Sequence, residues 1–167
     1  MSQPIHFYLL LDISASMTGA PVQSLRQGVH ILHDAITSRG DDLIQLAVIA
    51  FGSAAEQFPP VPVVSFVLPP LETGGSSGLG GALRLLPELM ASAPAPRATL
   101  VYIFTDGDPT DDWEEALAAI RAQVNRVYVI LCGRLQNGAP FVGKVDGVFS
   151  MSDLHPDTLA GPLREFL

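Results

Sequence analysis

Three oxygen-bearing side chains at alternate positions follow the first apolar run of the chain. Asp12, Ser14 and Ser16 stand in LLLDISASMTG, where the apolar residues stop abruptly at an acid. If the backbone stays extended there, residues spaced by two point to the same side. One carboxylate and two neutral hydroxyls form a hard, sparsely charged oxygen set that suits Mg²⁺ or Mn²⁺, whereas a Ca²⁺ cage is usually richer in acids. The same residues also fit a turn that caps the next helix, so the choice between a metal site and a cap depends on the rest of the sequence.

Two later loops carry the same kind of side chain. The segment LETGGSSGLGGAL places Thr73, Ser76 and Ser77 among glycines ahead of a predicted helix, and TDGDPTDDW places Asp106 directly after an apolar run. If all three loops meet at one place, a shared oxygen-rich metal site explains them better than three unrelated turns.

Strand and helix patterns alternate along the chain and predict how these loops are placed. Apolar runs predict strands at 5–11, 44–51, 100–104, 127–131 and 147–151. Apolar residues at helical spacing predict helices that begin near Pro21, Leu79 and Trp113, and a closing helix through Leu159. Three prolines precede VVSFVL at 63–68, and because proline cannot donate to a ladder, this run is predicted as an edge strand antiparallel to the second.

This order predicts an α/β fold in one domain, residues 1–167. We expect a doubly wound, mostly parallel central sheet of about six strands, with helices on both faces and one antiparallel edge strand. Ligands of such sheets bind at the carboxyl ends of the strands, where the strand order reverses. The three oxygen-rich loops are therefore expected to meet beside the first strand.

Composition narrows the classes of function. Nine basic residues against 17 acidic ones give a net charge of −8, and without a basic run nucleic acid is not expected as a partner. No apolar run approaches the roughly 20 residues of a membrane span and the N-terminus lacks a basic leader, so the cytoplasm is the expected location and no membrane association is predicted. The lone Cys132 ends the apolar run VYVILC and is expected to be a buried small hydrophobe rather than a reactive thiol.

DxSxS at Asp12, Ser14 and Ser16, a hydroxyl ahead of a GxAL helix start, and the TDG turn at Asp106 together resemble the metal-ion-dependent adhesion site of von Willebrand factor A (vWA) domains. The resemblance covers essentially the whole chain. More narrowly, DISASMTGAPVQSLRQGV, VIAFGSAA, LPPLETGGSSGLGGAL and FTDGDPTDDW resemble the stand-alone domains of the tellurium-resistance TerY-like group.

The resemblance implies a ligand for each loop. In the family the two serines of DxSxS bind the metal directly, and the acids at Asp12 and Asp106 act directly or through water. The middle loop usually supplies a threonine three residues before the helix-start glycine. Counting back from Gly80 gives Ser77, which keeps the oxygen but lacks the methyl group that stiffens the rotamer. Ser76 or Thr73 substitutes for it if the loop packs differently.

What the resemblance implies for function is binding rather than catalysis. The divalent ion, Mg²⁺ or Mn²⁺, keeps an open position that an aspartate or glutamate of a partner protein fills. The setting that the resemblance implies is a cytoplasmic stress or tellurium-resistance system, in which such domains are associated with kinase- and phosphatase-like proteins. A vWA scaffold with a vestigial metal site is the rival within the family.

Two enzyme classes are weaker alternatives. GGSSG fits the GxSxG motif with Ser76 as nucleophile, and Asp106 and His155 follow in the order of a small α/β hydrolase. However, PPLET rather than a strand precedes the glycines. A phosphohydrolase with a DxDx loop would need a second acid where Ser14 stands.

Three acids beside the TDG turn have two interpretations. Asp108, Asp111 and Asp112 could lie at the rim of the metal site, attracting the metal and selecting a partner of mixed charge. Alternatively, Asp111 and Asp112 cap the third helix.

Overall fold

The structure, a computed structural model, describes residues 3–38, 43–107, 109–133 and 138–166. Within these ranges the chain forms six strands and four α-helices. The strands are β1 (Ile5–Asp12), β2 (Ile44–Phe51), β3 (Ala55–Pro62), β4 (Ala98–Thr105), β5 (Arg126–Leu131) and β6 (Gly147–Ser150). The helices are α1 (Ala20–Thr37), α2 (Leu79–Ala91), α3 (Trp113–Arg121) and α4 (Pro156–Ala160), the last of which continues into a 3₁₀ helix, Gly161–Glu165.

The strands form one sheet in the order β3-β2-β1-β4-β5-β6. Every pair is parallel except β2 with β3, which is antiparallel. The chain winds outward from β1 in both directions, so the strand order reverses between β1 and β4. This confirms the doubly wound, mostly parallel sheet with one antiparallel edge strand.

Helices cover both faces of the sheet, as expected because the four central strands β1, β2, β4 and β5 are almost wholly buried. One core lies between the sheet and α1 with α4, and alternate residues of β1 such as Phe7 and Leu9 enter it. The other core lies between the sheet and α2 with α3, and takes Tyr8 and Leu10. Among the described residues, no helix combines the length and apolarity needed to cross a lipid bilayer.

The third strand does not lie where the sequence analysis placed it. The run 63–68 forms a short 3₁₀ turn and an irregular segment, and β3 is the preceding AEQFPPVP. Val48 pairs with Phe58 and Leu46 with Val61, so two prolines lie opposite one residue of β2 in a bulge. Prolines are tolerated there because edge strands and bulges leave backbone positions outside the ladder. The predicted edge position and antiparallel direction are confirmed.

Candidate metal centre

Three loops meet at the carboxyl edge of β1 and β4. Asp12 ends β1, Thr105 ends β4, and the glycine-rich loop before α2 is hydrogen-bonded to Asp12 and to the loop after β4. Backbone hydrogen bonds fasten that loop to the one after β1: Gly74 N–H donates to the Ile13 carbonyl at 2.8 Å, and Ala15 N–H donates to the Gly75 carbonyl at 2.9 Å. The predicted convergence of loops at the reversal point of the strand order is thus observed.

Asp12 lies at the centre of this arrangement and is fully buried. Its Oδ1 accepts from the Ser14 N–H at 2.9 Å. Its Oδ2 accepts from the Ser77 hydroxyl at 3.1 Å and from the Thr105 hydroxyl at 2.7 Å. One carboxylate therefore joins residues from all three loops.

The serines of DxSxS lie beside each other, although Ala15–Met17 forms a 3₁₀ turn and not the extended backbone from which their proximity was predicted. The hydroxyls of Ser14 and Ser16 are 3.1 Å apart, close enough to share a hydrogen bond. Ser14 is buried and Ser16 is exposed, so the pair leads from the buried carboxylate to the protein surface.

Asp106 completes the set with an unpaired oxygen. Asp106 is only 8% exposed, and among the described residues its buried Oδ1 has no hydrogen-bond partner. A buried carboxylate oxygen without a donor is unusual, because buried polar atoms normally find a partner. This oxygen is available to a cation.

Of the three candidates in the middle loop, the structure brings Ser77 to Asp12. Ser76 is exposed, and its N–H donates to the Ser53 hydroxyl at 3.0 Å. Thr73 shares a 2.8 Å hydroxyl contact with Thr18. Neither residue has a hydrogen bond to Asp12 among those of the described residues, whereas Ser77 does.

Thr105 is not among the site residues predicted from the sequence, although a signal for it exists. Leu11 of β1 pairs with Phe104 of β4, so the next residues, Asp12 and Thr105, are also neighbours across the ladder. Once the two strands were known to be adjacent, the last residue of β4 could have been placed beside the acid. Its hydroxyl also accepts from the Gly107 N–H at 3.1 Å, which ties the TDG turn to Asp12.

Burial dominates the electrostatics of the site. It raises the pKa of the Asp12 carboxyl, hydrogen bonds from Ser14 and Thr105 offset part of that rise, and the charge of Asp106 adds to it. Burial also raises the pKa of the Cys132 thiol to about 12, and the negative charges of Asp12 and Asp106 contribute. Cys132 is thus a fully buried thiol, as predicted.

The residues present fit a hard divalent cation. The donors that converge are two carboxylates and several hydroxyls, with no nitrogen or sulfur ligand among them. Within the described ranges no cluster of three or more His, Cys, Asp or Glu side chains forms a conventional metal site. Any cation held here would therefore depend on the hydroxyls for much of its shell.

The acids after the TDG turn divide into different roles. Asp111 does not cap α3: its Oδ1 and Oδ2 accept from the N–H groups of Gly80 and Gly81, at 2.8 and 3.0 Å, and so it caps α2. Asp112 occupies the cap position of α3 without a side-chain cap hydrogen bond, and its carbonyl accepts from Arg84 at 2.9 Å. Asp108 lies outside the described residues.

The geometry of a hydrolase is not seen around Ser76. From Phe66 to Gly78 the chain contains no strand, whereas a nucleophile elbow requires one directly before the serine. His155 is exposed at the start of α4, which packs with α1 on the opposite face of the sheet from α2. No hydrogen bond joins Ser76, Asp106 and His155 among the described residues.

Comparisons with known proteins agree with this architecture. BatB from Bacteroides thetaiotaomicron is 15% identical, with 96% of each chain covered and a TM-score of 0.67. Proximal thread matrix protein 1 from the mussel byssus, solved with a zinc-occupied MIDAS motif, is 16% identical with a TM-score of 0.66; the match covers 92% of this chain but only 43% of that one. Manganese-loaded TRAP from Plasmodium vivax is 22% identical with a TM-score of 0.64, over 81% of this chain and 59% of that one. A search of curated proteins gives no match.

The structural likenesses show the fold, and a sequence comparison shows the family. The model of the von Willebrand factor type A domain matches residues 7–141, which run from β1 through the turn that precedes β6. That range contains all three loops of the candidate metal centre. The chain belongs to the von Willebrand factor type A domain family.

Proposed function

We propose that the chain is a metal-dependent protein-binding module that captures an acidic side chain of a partner through a divalent cation. The observation that carries the proposal is the unpaired, buried Oδ1 of Asp106 at the same strand-end edge as Asp12 and the hydroxyls of Ser14 and Ser77. In the part of the chain that the structure describes, neither buried carboxylate has a basic residue among its hydrogen-bond partners, so a positive charge is needed to balance the two.

The proposed ligand set is the one predicted from the sequence: Asp12, Ser14, Ser16, Ser77 and Asp106. A bound Mg²⁺ or Mn²⁺ would supply Lewis acidity toward an incoming carboxylate. The chain's own residues do the positioning. Asp12 orients the hydroxyl of Ser77, and the contact between Ser14 and Ser16 places a hydroxyl at the exposed end of the set.

The neutral hydroxyls determine what the site can bind. Because the hydroxyls contribute no charge and only two carboxylates belong to the set, a divalent cation would keep an open coordination position for an aspartate or glutamate of a partner. In support, a mussel protein and a Plasmodium protein of the same fold are described with zinc in a MIDAS motif and with manganese.

The wider setting is part of the proposal. Sequence resemblance to the TerY-like group favours a cytoplasmic stress or tellurium-resistance system, with kinase- or phosphatase-like proteins as partners.

We propose binding without catalysis, because the residues that would form a hydrolase site do not lie together. The alternative of a vestigial metal site is opposed by the hydrogen bonds that still join Asp12 to Ser14 and Ser77.

Calorimetric titration of Mg²⁺ and Mn²⁺ into metal-stripped protein tests the proposal. We expect binding by the unaltered protein, loss of binding in Asp12→Ala and weakened binding in Ser77→Ala. Ser76→Ala is the matched control, since it removes a neighbouring hydroxyl that does not contact Asp12, and it should bind like the unaltered protein. No binding at millimolar metal by the unaltered protein, or an equal loss in Ser76→Ala and Ser77→Ala, would contradict this ligand set.

A second titration tests partner capture. A peptide with one glutamate should bind to the metal-loaded protein and not to the protein in chelator. The same peptide with glutamine in that position is the control. Equal binding of both peptides would show that the site does not recognise a carboxylate.

A further inference from the structure

Ser77 occupies a segment that has no regular structure of its own. The chain from Phe66 to Gly78 contains neither strand nor helix, and glycines stand on both sides of the serine. Such a segment has many accessible backbone conformations. A hydroxyl carried on it can be a reproducible ligand only if something else fixes its backbone.

Thr110 supplies that restraint from the loop after β4. The N–H of Thr110 donates to the Ser77 carbonyl at 2.9 Å, and its hydroxyl lies 3.1 Å from the same carbonyl oxygen. The N–H of Ser77 lies 3.2 Å from the Thr110 hydroxyl, which can accept from it. Both backbone polar groups of Ser77 are therefore bonded to one residue that lies 33 positions later in the chain.

Asp111 holds the same segment at a second place, the start of α2, three residues beyond Ser77. Its carboxylate accepts from the N–H groups of Gly80 and Gly81 at the start of α2. Room for it depends on Gly80, where an added Cβ would lie 2.9 Å and 3.0 Å from the two carboxylate oxygens. The loop after β4 thus holds both the Ser77 backbone and the helix that follows it.

We propose that Thr110 and Asp111 are positioning residues that hold the Ser77 hydroxyl against Asp12, and that the affinity of the site for a divalent cation depends on them. The inference rests on the proposed function for the metal itself. The backbone restraint can be measured without any metal, so the two can fail separately. Residues that orient metal ligands in this way typically contribute tenfold or more to affinity.

The main test is a thermodynamic cycle between Thr110 and Ser77. Thr110→Val removes the hydroxyl but keeps the shape, and Thr110→Ser keeps the hydroxyl. With Mn²⁺ as the probe and the free ion followed by electron paramagnetic resonance, we expect about tenfold weaker binding in Thr110→Val and near-normal binding in Thr110→Ser. In a Ser77→Ala background, Thr110→Val should cause no further loss, because its effect passes through the serine.

A charge-matched pair tests Asp111. Asp111→Ala and Asp112→Ala each remove one acid from the same loop, but only the first removes the bonds to α2. Weaker Mn²⁺ binding in Asp111→Ala alone supports positioning. Equal weakening in both would show a general attraction of cations by the acids, and would overturn the role given to Asp111.

Amide hydrogen exchange in chelator measures the restraint directly. We expect exchange in residues 74–81 to become about tenfold faster in Thr110→Val and to stay normal in Thr110→Ser, while exchange in β1 is unchanged in both. Unchanged exchange in 74–81, or an equal loss of Mn²⁺ affinity with and without Ser77, would overturn the inference even if the unaltered protein binds metal.

If the unaltered protein binds no metal, the proposed function fails, and the claim of metal affinity fails with it. The exchange result then decides the positioning of Ser77 alone.

Discussion

Replacing Asp12 by asparagine is expected to stabilise the metal-free protein and to abolish metal binding. The carboxylate is fully buried, and burial raises its pKa, so the folded state carries a charge that it disfavours near pH 7. An asparagine fits the same partners. Its carbonyl oxygen can accept from the Ser14 N–H, and its amide can donate to the hydroxyl oxygen of Ser77 or Thr105, because a hydroxyl also accepts.

The size of the gain follows from the shift in pKa. Each unit between the folded and unfolded pKa of Asp12 corresponds to about 1.4 kcal/mol. In a domain of this size, 1 kcal/mol changes Tm by about 2–4 °C. Because the pKa of Asp12 is higher in the folded than in the unfolded protein, folding favours the neutral carboxyl. Its favourable contribution to the free energy of unfolding is complete below the unfolded pKa of 3.8 and is lost as the pH rises through the folded pKa. The advantage of Asp12→Asn should therefore be largest near pH 7 and shrink as the pH falls toward 3.8.

Thermal unfolding in chelator and in Mg²⁺ provides the assay. In chelator the Tm of Asp12→Asn should exceed that of the unaltered protein. With Mg²⁺ at a hundred times its Kd, the unaltered protein should gain about 2.7 kcal/mol and the variant nothing. Asp34→Asn, which removes the same charge from a side chain that is 67% exposed, should change neither value appreciably. A lower Tm for Asp12→Asn in chelator would refute the reasoning, since it would show that the hydrogen bonds to the carboxylate outweigh its desolvation.

Three further predictions concern stability and are measured by urea unfolding. Burial lowers the pKa of His6, so the free energy of unfolding should fall by at most about 1.4 kcal/mol per pH unit as the pH drops below 6.5. His6→Leu should reduce this dependence on pH, and an unchanged dependence would contradict the prediction. The Tyr102 hydroxyl donates to a backbone carbonyl of α4 at 2.6 Å, so Tyr102→Phe should cost about 1–2 kcal/mol, and a change below 0.5 kcal/mol would count against that bond. Gly80→Ala should destabilise by about 1–3 kcal/mol, because its Cβ would collide with Asp111, whereas Gly81→Ala has open space and should be neutral or stabilising. Equal effects of the two alanines would show that the carboxylate can move aside.

The strands of the sheet were predictable wherever burial left a continuous apolar run. The limits of β2 agree with those predicted, and β1 and β4 each extend beyond the prediction into polar residues that line the site. The predicted position of the third strand was wrong because VVSFVL has high strand propensity, whereas the strand that forms, AEQFPPVP, contains three prolines. Pairing with β2 at an exposed edge outweighed local propensity there.

The candidate site was predictable as far as strand ends dictate it. Asp12 ends β1 and Asp106 follows β4, and because these strands are adjacent at the reversal point, the proximity of the two acids follows from topology. The bonds between Thr110 and Ser77 do not follow from it, because they depend on the path of two irregular loops. The cap on α2 was missed for the same reason: Asp111 immediately precedes the residues that lead into α3, and local sequence favours the nearer helix.

The prolines of β3 have a consequence for how other molecules can approach the sheet. An edge strand usually offers a row of free N–H and C=O groups, to which a further strand, from a partner or from a misfolded copy, can be added. Proline occupies three of the eight positions of β3, at Pro59, Pro60 and Pro62, and each of them lacks the N–H that such an addition needs. The bulge interrupts the straight run of the remaining groups as well. A further strand, from a partner or from a misfolded copy, is thereby discouraged from extending the sheet at its β3 edge, the edge opposite β6.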